Sequence, residues 1–431
     1  MKRQILFIMI IIGYFFTGLL PCYCGEKPDL SFIDNRFGHA FESEQMNKLM
    51  ELKHKRKKGD KKQENDIYID VYVNCETGKD KPGWGDTPKK PFKTINYAVS
   101  RVPFIRDSTD FIVKINIAQG NYEEAVSISY DNIELSGEDM DNTIIFGDEN
   151  ETSIFIHACD HVYIDNLSLQ DLDQGDGAFS GIAVAGSNDV NISNVKIENY
   201  FYGILTGGPQ GGSQIWLSDI ILRNNSGYGI WLGGSGGAIT GKLIIESSFN
   251  GIYIVDNSVL AILLAELSVS NCVMGMYING TESDCKMIWD SELKFSNNYT
   301  AIFIGENTSL EYNAFGTFEE NQYGVFVAGL LKLTGGEMTI EANNTGIQID
   351  NRGYLVNRGC VLSIQNNDAG IHGIYDWGGD IKFAGGNTTI NGFGTDLYMG
   401  FGARGDFGGE STIGTIECDG TVLTSGNHSC P

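Results

Sequence analysis

Three carboxylates lie close together in one short segment of this chain. Asp171, Asp173 and Asp176 belong to the sequence DLDQGDG, which begins at residue 171. Hard cations such as calcium are bound by several oxygen ligands, and a flexible loop can bring three carboxylates onto one ion. The segment therefore predicts a calcium site, and calcium is the one cofactor that the sequence indicates. Asp and Gly are also ordinary turn residues, so a turn without a metal is the alternative.

A second segment, HACDH, places His157, Cys159, Asp160 and His161 within five positions. These residue types bind zinc, but a structural zinc site needs four ligands that converge on one point. Neighbouring residues of an extended chain point to opposite faces. We therefore favour the interpretation that this segment is a turn that holds no metal.

Five aromatic residues return at regular spacing further along the chain, and we call them the aromatic stripe: Trp231, Tyr253, Tyr277, Phe303 and Phe326. On stacked strands these side chains would face outward, about 4.8 Å apart. Exposed aromatic rings can stack on the apolar faces of sugars, so the stripe predicts a binding site for an extended polysaccharide or glycan. The alternatives are that the rings stack on one another as a stabilising ladder, or that other parts of the chain cover them.

The elements that must position these residues follow from a repeat. A Gly-Ile-x-Ile unit returns every 22 to 26 residues, and the stripe occupies position x in five consecutive copies. Short runs of β-branched residues punctuated by Gly and Asn predict strands stacked coil on coil. The nine copies are Gly181–Val184, Gly203–Leu205, Gly229–Leu232, Gly251–Ile254, Gly275–Ile278, Ala301–Ile304, Gly324–Val327, Gly346–Ile349 and Gly370–His372.

An Asn precedes most of the units. Such a residue tolerates the left-handed backbone of a tight turn, and its side chain can hydrogen-bond its counterparts in the coils above and below. The expected ladder comprises Asn199, Asn225, Asn271, Asn297, Asn321, Asn343 and Asn366.

Composition and the N-terminal sequence predict four regions. The first combines a basic start with an apolar run typical of a secretory signal, so we expect a secreted or cell-surface protein, with an uncleaved anchor as the alternative. The second carries a run of like charges typical of a disordered tether. A short helix at Pro91–Val99 is expected to cover the first coil. The regions are a signal peptide (1–24), a basic disordered linker (25–65), the β-helix (66–400) and a Gly-rich C-terminal cap or tail (401–431).

The formal net charge is -25 and the sequence pI is about 4.5. The electric field of such a negative protein repels polyanions, so we expect no nucleic-acid partner. A neutral ligand would bind more easily. After removal of the signal we expect no membrane span. Seven cysteines remain, an odd number, which leaves both disulfides and buried free thiols open.

Between residues 67 and 400 the chain resembles right-handed parallel β-helix proteins of the pectin lyase-like superfamily. The strings YVNCETGKD, PFKTINYAV and INIAQGNYEEAVSI carry the resemblance. It implies an all-β fold, a right-handed parallel β-helix with a short N-terminal capping helix. It leaves the activity open, because the superfamily includes lyases, hydrolases, esterases, epimerases and adhesins without catalysis.

The motifs of the related enzymes are absent. Pectin methylesterases carry motifs resembling QAVAL and DFIFG, and polygalacturonases carry acids just before the Gly-Ile strand, where this chain has aromatic or neutral residues. Lyases of this fold use calcium and a Lys or Arg base, a role for which Arg223 is the candidate. We therefore expect a glycan-binding, adhesin-like protein. The alternatives are a calcium-dependent polysaccharide lyase or epimerase, and a structural surface protein.

Overall fold

A computed structural model describes residues 67–105, 111–147, 151–171, 179–207, 212–280, 284–365, 372–400, 402–408, 410–419 and 423–426. All of these residues lie in the compact unit Asp66–Pro431. The predicted signal peptide and basic linker lie outside the described residues, and both stay predictions.

The strands that carry the Gly-Ile-x-Ile units form one parallel sheet, which has 13 strands within the described residues. We call it the Gly-Ile sheet. Neighbouring strands pair residue for residue, so that Leu205 lies opposite Trp231 and Trp231 opposite Tyr253. Each unit of the sequence repeat is therefore one coil.

The remaining strands form the second sheet, with 20 strands in the described part of the chain. We call it the long-strand sheet. Several of its strands bend at a residue with left-handed backbone, as at Asn166 (φ 61°), Asn194 (φ 50°) and Asp219 (φ 57°). Two parallel sheets connected coil by coil confirm the predicted parallel β-helix. 

The strands of the N-terminal half are β1 (Ile67–Val73), β2 (Phe111–Ile117), β3 (Gly120–Glu123), β4 (Val126–Ile128), β5 (Ile133–Gly137), β6 (Thr143–Phe146), β7 (Ile154–His157), β8 (Val162–Gln170), β9 (Ser180–Ala185), β10 (Val190–Glu198), β11 (Tyr202–Thr206), β12 (Gln214–Arg223), β13 (Tyr228–Gly233), β14 (Gly236–Glu246), β15 (Asn250–Val255) and β16 (Val259–Ser270). Those of the C-terminal half are β17 (Met274–Ile278), β18 (Asp284–Ser296), β19 (Thr300–Ile304), β20 (Ser309–Glu319), β21 (Tyr323–Val327), β22 (Leu330–Glu341), β23 (Thr345–Ile349), β24 (Tyr354–Arg358), β25 (Val361–Gln365), β26 (His372–Asp376), β27 (Asp380–Gly385), β28 (Asn387–Asn391), β29 (Thr395–Met399), β30 (Arg404–Phe407), β31 (Glu410–Ile413), β32 (Ile416–Cys418) and β33 (Leu423–Gly426).

The core is the column of aliphatic side chains inside the coils. In β13 the side chains of Ile230 and Leu232 are fully buried, while Trp231 between them faces outward and is half-buried. The same alternation in the neighbouring coils confirms the predicted inward and outward positions of the repeat. The Gly that opens each unit lets two coils approach, since a Cβ on Gly229 would lie 2.6 Å from the carbonyl oxygen of Gly251.

The sequence predicts that one Asn at the turn into the Gly-Ile sheet has left-handed backbone and also forms the ladder. In the structure two adjacent positions share these roles. The first position has the left-handed backbone, with φ of 73° at Asn199 and 57° at both Asn271 and Asn297. These three side chains are not part of the buried ladder. Asn at this position is favoured because its short polar side chain tolerates that conformation.

The second position carries the ladder. Asn225 accepts the backbone N–H of Tyr200 (3.1 Å), and Asn343 accepts the backbone N–H of Asn321 (2.8 Å). Asn298 belongs to the same column and was missed by the sequence analysis, which selected its neighbour Asn297 instead. Asn366 lies outside the described residues.

The turn that leaves the Gly-Ile sheet holds a second ladder, made of buried serines. Each hydroxyl accepts a hydrogen bond from the backbone N–H of the serine one coil earlier. The N–H of Ser187 donates to Ser213 (3.4 Å), that of Ser213 to Ser235 (3.1 Å) and that of Ser235 to Ser258 (3.2 Å). At both turns, side-chain oxygens thus accept hydrogen bonds from buried backbone N–H groups of the neighbouring coil, which holds adjacent coils at a fixed distance.

One helix, α1 (Ile95–Ile105), packs against β1, β2 and β4 at the N-terminal end and buries Ile95, Ala98, Val99 and Val102. The prediction of a capping helix is confirmed, although the helix begins after Pro91–Lys93. Thr94 accepts the backbone N–H of Tyr97 (3.2 Å) as an N-cap. The carboxylate of Glu124 accepts the N–H groups of Ile95 and Asn96, each at 2.8 Å.

At the C-terminal end, pairing continues beyond the predicted boundary at residue 400. Strand β30 pairs with β27, β31 with β28 and β32 with β29. The last repeat unit is also displaced from its predicted position, because Gln348 lies opposite Tyr375. The ninth unit is therefore Gly373–Asp376, not Gly370–His372, and position x there is Tyr375, whereas His372 pairs with Thr345.

Cys75, Cys159, Cys272 and Cys360 are free thiols, and the last three are buried. Cys418 is disulfide-bonded. No helix among the described residues is long and apolar enough to cross a membrane.

Candidate functional site

The aromatic stripe is a continuous stack of rings along the Gly-Ile sheet. Ring centroids lie 4.6 Å apart for Trp231 and Tyr253, 4.9 Å for Tyr253 and Tyr277, 4.7 Å for Tyr277 and Phe303, and 5.0 Å for Phe303 and Phe326. The last three pairs are within 14° of parallel. The ring faces therefore cover one another, and inside the stripe only ring edges are turned to solvent.

This arrangement is the ladder that the sequence analysis kept as an alternative, and it changes what the stripe can do chemically. A sugar stacks on the face of a ring, and the faces of the inner rings are occupied by their neighbours. Burial raises the pKa of Tyr253 to about 12. Its hydroxyl therefore stays protonated at neutral pH. That the five stripe residues bind a ligand stays a prediction.

A second column of aromatic side chains lies beside the stripe, at the turn two residues before the Gly of the unit. We call it the turn row: Phe179, Phe201, Phe249 and Tyr299. Their side chains are 50%, 43%, 36% and 52% exposed. Backbone hydrogen bonds align the row along the coils, for example from Tyr202 N–H to the carbonyl of Phe179 (3.0 Å).

The Gly-Ile-x-Ile repeat does not by itself predict the turn row. The signal in the sequence is an aromatic residue two positions before Gly181, Gly203 and Gly251. Gly227 and Val273 occupy the same position in other coils and interrupt the series. The interruption at Gly227 has a steric reason, since a Cβ there would lie 2.8 Å from the Phe201 ring.

Two tyrosines connect the turn row to the stripe. Tyr202 and Tyr228 stack on each other at 5.1 Å, and both contact Trp231 edge-to-face, at 5.7 Å and 4.7 Å. Phe201 in turn contacts Tyr202 edge-to-face at 4.7 Å. The exposed ring of Phe201 therefore rests on a rigid support of stacked, half-buried tyrosines.

The strands beneath these rings carry no charge. From β9 to β23, the eight strands of the Gly-Ile sheet contain no Asp, Glu, Lys, Arg or His. Exposed uncharged faces of this length are uncommon on soluble proteins and often mark binding sites. The eight strands are Ser180–Ala185, Tyr202–Thr206, Tyr228–Gly233, Asn250–Val255, Met274–Ile278, Thr300–Ile304, Tyr323–Val327 and Thr345–Ile349.

The predicted calcium site is only partly within the described residues. Asp171 is 3% exposed at the end of β8. Burial, and to a lesser degree the charge of Asp171, raises the pKa of Tyr200. Asp173 and Asp176 lie outside the described residues, so calcium binding stays a prediction, and the described residues contain no group of three or more His, Cys, Asp or Glu that could hold a metal.

Arg223, the candidate base, lies at the end of β12 on the long-strand sheet. Its Nε donates to Glu246 at 2.8 Å, and Glu198 is opposite it on the neighbouring strand. A guanidinium that is engaged in an ion pair is poorly placed to act as a catalytic base. A catalytic role for Arg223 stays a prediction.

The HACDH segment is divided among separate contacts. The His157 ring stacks on Phe155 with centroids 4.9 Å apart, whereas His161 lies 3.7 Å from a carboxylate oxygen of Asp189. Cys159 is buried, and burial raises its pKa to about 11. The segment runs from the end of β7 through the turn that leads to β8, and that it holds no metal stays a prediction.

A groove of about 620 Å³ lies on the long-strand sheet. Lys242, Glu266, Glu292, Phe315 and Glu337 are among its lining residues. Its charged lining contrasts with the eight uncharged strands of the Gly-Ile sheet from β9 to β23, so these two surfaces are chemically distinct.

Comparisons with known proteins identify no family for this chain. No family model and no curated protein matches the chain. Among solved structures the chain is similar to the alginate lyase from Paenibacillus sp. str. FPU-7 (12% identity, 77% of this chain and 97% of that one, TM-score 0.33). It is also similar to the A-module of the mannuronan C-5 epimerase AlgE6 from Azotobacter vinelandii (10%, 78% and 95%, TM-score 0.35) and to the surface protein and adhesin PfbA from Streptococcus pneumoniae (9%, 72% and 91%, TM-score 0.30). Similarities at this level do not bear on activity or ligand.

Proposed function

We propose that the protein is a secreted or cell-surface glycan-binding protein that holds a polysaccharide on the Gly-Ile sheet. The observation that carries the proposal is the turn row, four exposed aromatic side chains aligned along the coils next to the aromatic stripe. Aromatic rings offer an apolar face together with low conformational entropy, which suits them to stacking on the C–H faces of sugars.

The aromatic stripe, which lies beside the turn row, supports this site. Its rings stack on one another and, through Trp231, hold Tyr202 and Tyr228 in edge-to-face contact. A rigid support limits the entropy lost on binding, because the contact side chains are already ordered in the free protein. In this proposal the turn row and the two tyrosines contact the sugar, and the inner rings of the stripe position them.

The catalytic alternative is a calcium-dependent polysaccharide lyase or epimerase using Arg223 and the loop at Asp171, Asp173 and Asp176. The ion pair of Arg223 with Glu246 and the burial of Asp171 argue against it. The remaining alternative is a structural surface protein with no ligand of its own.

Affinity electrophoresis through gels that contain soluble polysaccharides tests the proposal. We expect retardation of the wild-type protein, and about tenfold weaker binding for Phe179→Ala/Phe201→Ala, since a stacked ring contributes about 0.5 to 1.5 kcal/mol. Phe104→Ala is the matched control, because Phe104 is an exposed phenylalanine (72%) that lies on the helix and does not belong to the turn row. An unchanged affinity of the double variant would contradict the proposal.

Two further measurements separate the alternatives. Chain cleavage that requires calcium and disappears in Arg223→Ala would favour the lyase over the binding protein. Phe303→Leu removes an inner ring of the stripe, whose faces are covered on both sides. We expect it to lower stability and leave affinity nearly unchanged. A loss of affinity in a folded Phe303→Leu variant would show that the stripe itself contacts the sugar.

A further inference from the structure

We infer that the ligand of the Gly-Ile sheet is an uncharged, extended polysaccharide that lies along the coil axis, and that this surface excludes polymers of uronic acids. The inference rests on the proposed function and adds the class of ligand and its direction. Three features of the described residues carry it: the direction of the turn row, the absence of charge beneath it, and the pairing of the cations at its border.

The direction follows from the alignment of exposed rings. Phe179 and Phe201 lie on adjacent coils, Phe249 two coils beyond Phe201, and Tyr299 two coils beyond Phe249. With about 4.8 Å between strands, the row extends roughly 24 Å along the axis. Across the sheet, by contrast, the strand offers only one exposed ring per coil. A chain of several sugars therefore meets more rings along the axis than across it.

The chemical class follows from the absence of charged partners on the sheet itself. A carboxylate or sulfate on a sugar is recognised by charge-assisted hydrogen bonds, most often from Arg or Lys. The eight strands from β9 to β23 contain no charged residue, as described above. A uronate placed on this face would lose hydration without gaining a cationic partner, which is unfavourable.

Three cations lie within two residues of the end of a long strand that precedes the row, and each of them forms an ion pair. Lys196 pairs with Glu198 (3.3 Å), Arg223 with Glu246 (2.8 Å), and Lys294 with Glu319. A polyanion would have to displace these carboxylates before it could use the cations.

The charge of the whole chain acts in the same direction. A formal net charge of -25 repels a polyanion at distances up to about one Debye length, roughly 10 Å at 0.1 M salt. A neutral glucan, mannan or xylan experiences no such repulsion. The aromatic contacts that remain are only weakly sensitive to salt.

The test is affinity electrophoresis of the full-length protein against two neutral polymers, hydroxyethyl cellulose and galactomannan, and two polyuronates, polygalacturonate and alginate. Each is run at low and at high sodium chloride, with calcium and with a chelator. We expect retardation by at least one neutral polymer at both salt concentrations and by neither polyuronate. Retardation by a polyuronate but by no neutral polymer would overturn the inference and leave the glycan-binding function standing. Retardation by none of the four would contradict both.

A gain-of-function variant tests separately whether the lack of cations in the turn row excludes uronates. Val273 and Gln322 occupy turn-row positions without an aromatic ring and are half-buried. In Val273→Lys/Gln322→Lys two unpaired cations join the row, and we expect polygalacturonate affinity to rise about tenfold or more, as one charge-assisted contact predicts. Val273→Gln/Gln322→Ala is the uncharged control, and neutral binding should persist in both variants. Polyuronate affinity equal in the two variants would overturn the argument that missing cations exclude uronates.

Discussion

The side-chain oxygen of Asn321 accepts two hydrogen bonds from Asn298, one from its backbone N–H at 2.9 Å and one from its side-chain amide at 3.1 Å. Asn321 repeats the arrangement toward the next coil, where Asn343 accepts both its backbone N–H and its side-chain amide. All three asparagines are buried. One side chain therefore satisfies two donors of the preceding coil, and the pairing continues from coil to coil.

Asn321→Leu should destabilise the fold strongly. The substitution leaves the backbone N–H and one side-chain N–H of Asn298 buried without their acceptor, at a cost of about 2 to 3 kcal/mol. Urea denaturation followed by circular dichroism measures the effect. Asn297→Gly is the matched control, because Asn297 is exposed and has φ of 57°, a conformation that Gly adopts freely. Equal midpoints for the two variants would contradict the role of the ladder.

Gly229→Ala tests the close approach of neighbouring coils. The added Cβ would lie 2.6 Å from the carbonyl oxygen of Gly251 and 2.8 Å from Cγ2 of Ile245, so the coils must separate. Overpacking of this kind costs about 1 to 3 kcal/mol. Gly236→Ala is the control, since its Cβ would meet only Gln214 Cγ, at 3.8 Å. We expect the thermal midpoint to fall for the first variant and to stay nearly constant for the second.

The pH dependence of stability should contain a contribution from His372. Burial lowers the pKa of this imidazole below its ordinary value of 6.5, and the charge of Glu417 opposes the shift. Its Nδ1 is buried without a hydrogen-bond partner in the described residues. Because the folded pKa is depressed, the stabilising contribution is present above the unfolded pKa and is lost as pH falls through the folded pKa.

We therefore expect the urea midpoint to fall between about pH 7.5 and about pH 5.5, and to fall less in His372→Gln. The variant cannot be protonated in this range, so its remaining pH dependence reports the rest of the molecule. His157→Gln serves as the control for removing a histidine from another coil of the Gly-Ile sheet. A pH dependence of His372→Gln as steep as that of the wild type would rule out the contribution.

Three of the four free thiols in the described part of the chain should be unreactive in the folded protein. Burial raises the pKa of Cys159 and of Cys272 to about 11 and that of Cys360 to about 12. The thiolate, which is the reactive form, is then scarce near pH 8. Iodoacetamide labelling followed by peptide mass spectrometry should modify Cys75, which is half-buried, before these three. Labelling of all four at one rate without denaturant would show that the coils open readily.

The fold could be predicted almost completely, because it depends on a periodic pattern. Alternation within Gly-Ile-x-Ile determines which side chains enter the core, and nearly all copies are in the predicted register. The exception arose where the sequence GIHGIYD offers two Gly-Ile pairs. Only the pairing of Gln348 with Tyr375 decides between them, and that is a property of two coils together.

The site was less predictable, since it depends on side-chain rotation and on turns. The sequence placed Trp231 and Tyr253 on the outer face but could not show that the rings turn their faces toward each other. It likewise assigned the Asn ladder to Asn297, because the left-handed position and the hydrogen-bonding position are adjacent asparagines there. The turn row was missed because Phe179 and Phe201 precede the strands and lie outside the alternating pattern.

The two sheets differ in how they tolerate irregularity. Strand pairs of the long-strand sheet shift register, as between β12 and β14, whereas the pairs of the Gly-Ile sheet, such as β13 and β15, show no shift. Insertions and bulges are thus absorbed on one side of the molecule and leave the other evenly spaced. Duplication or loss of one whole coil would therefore change the length of the Gly-Ile sheet by one strand and leave the spacing of its strands unchanged.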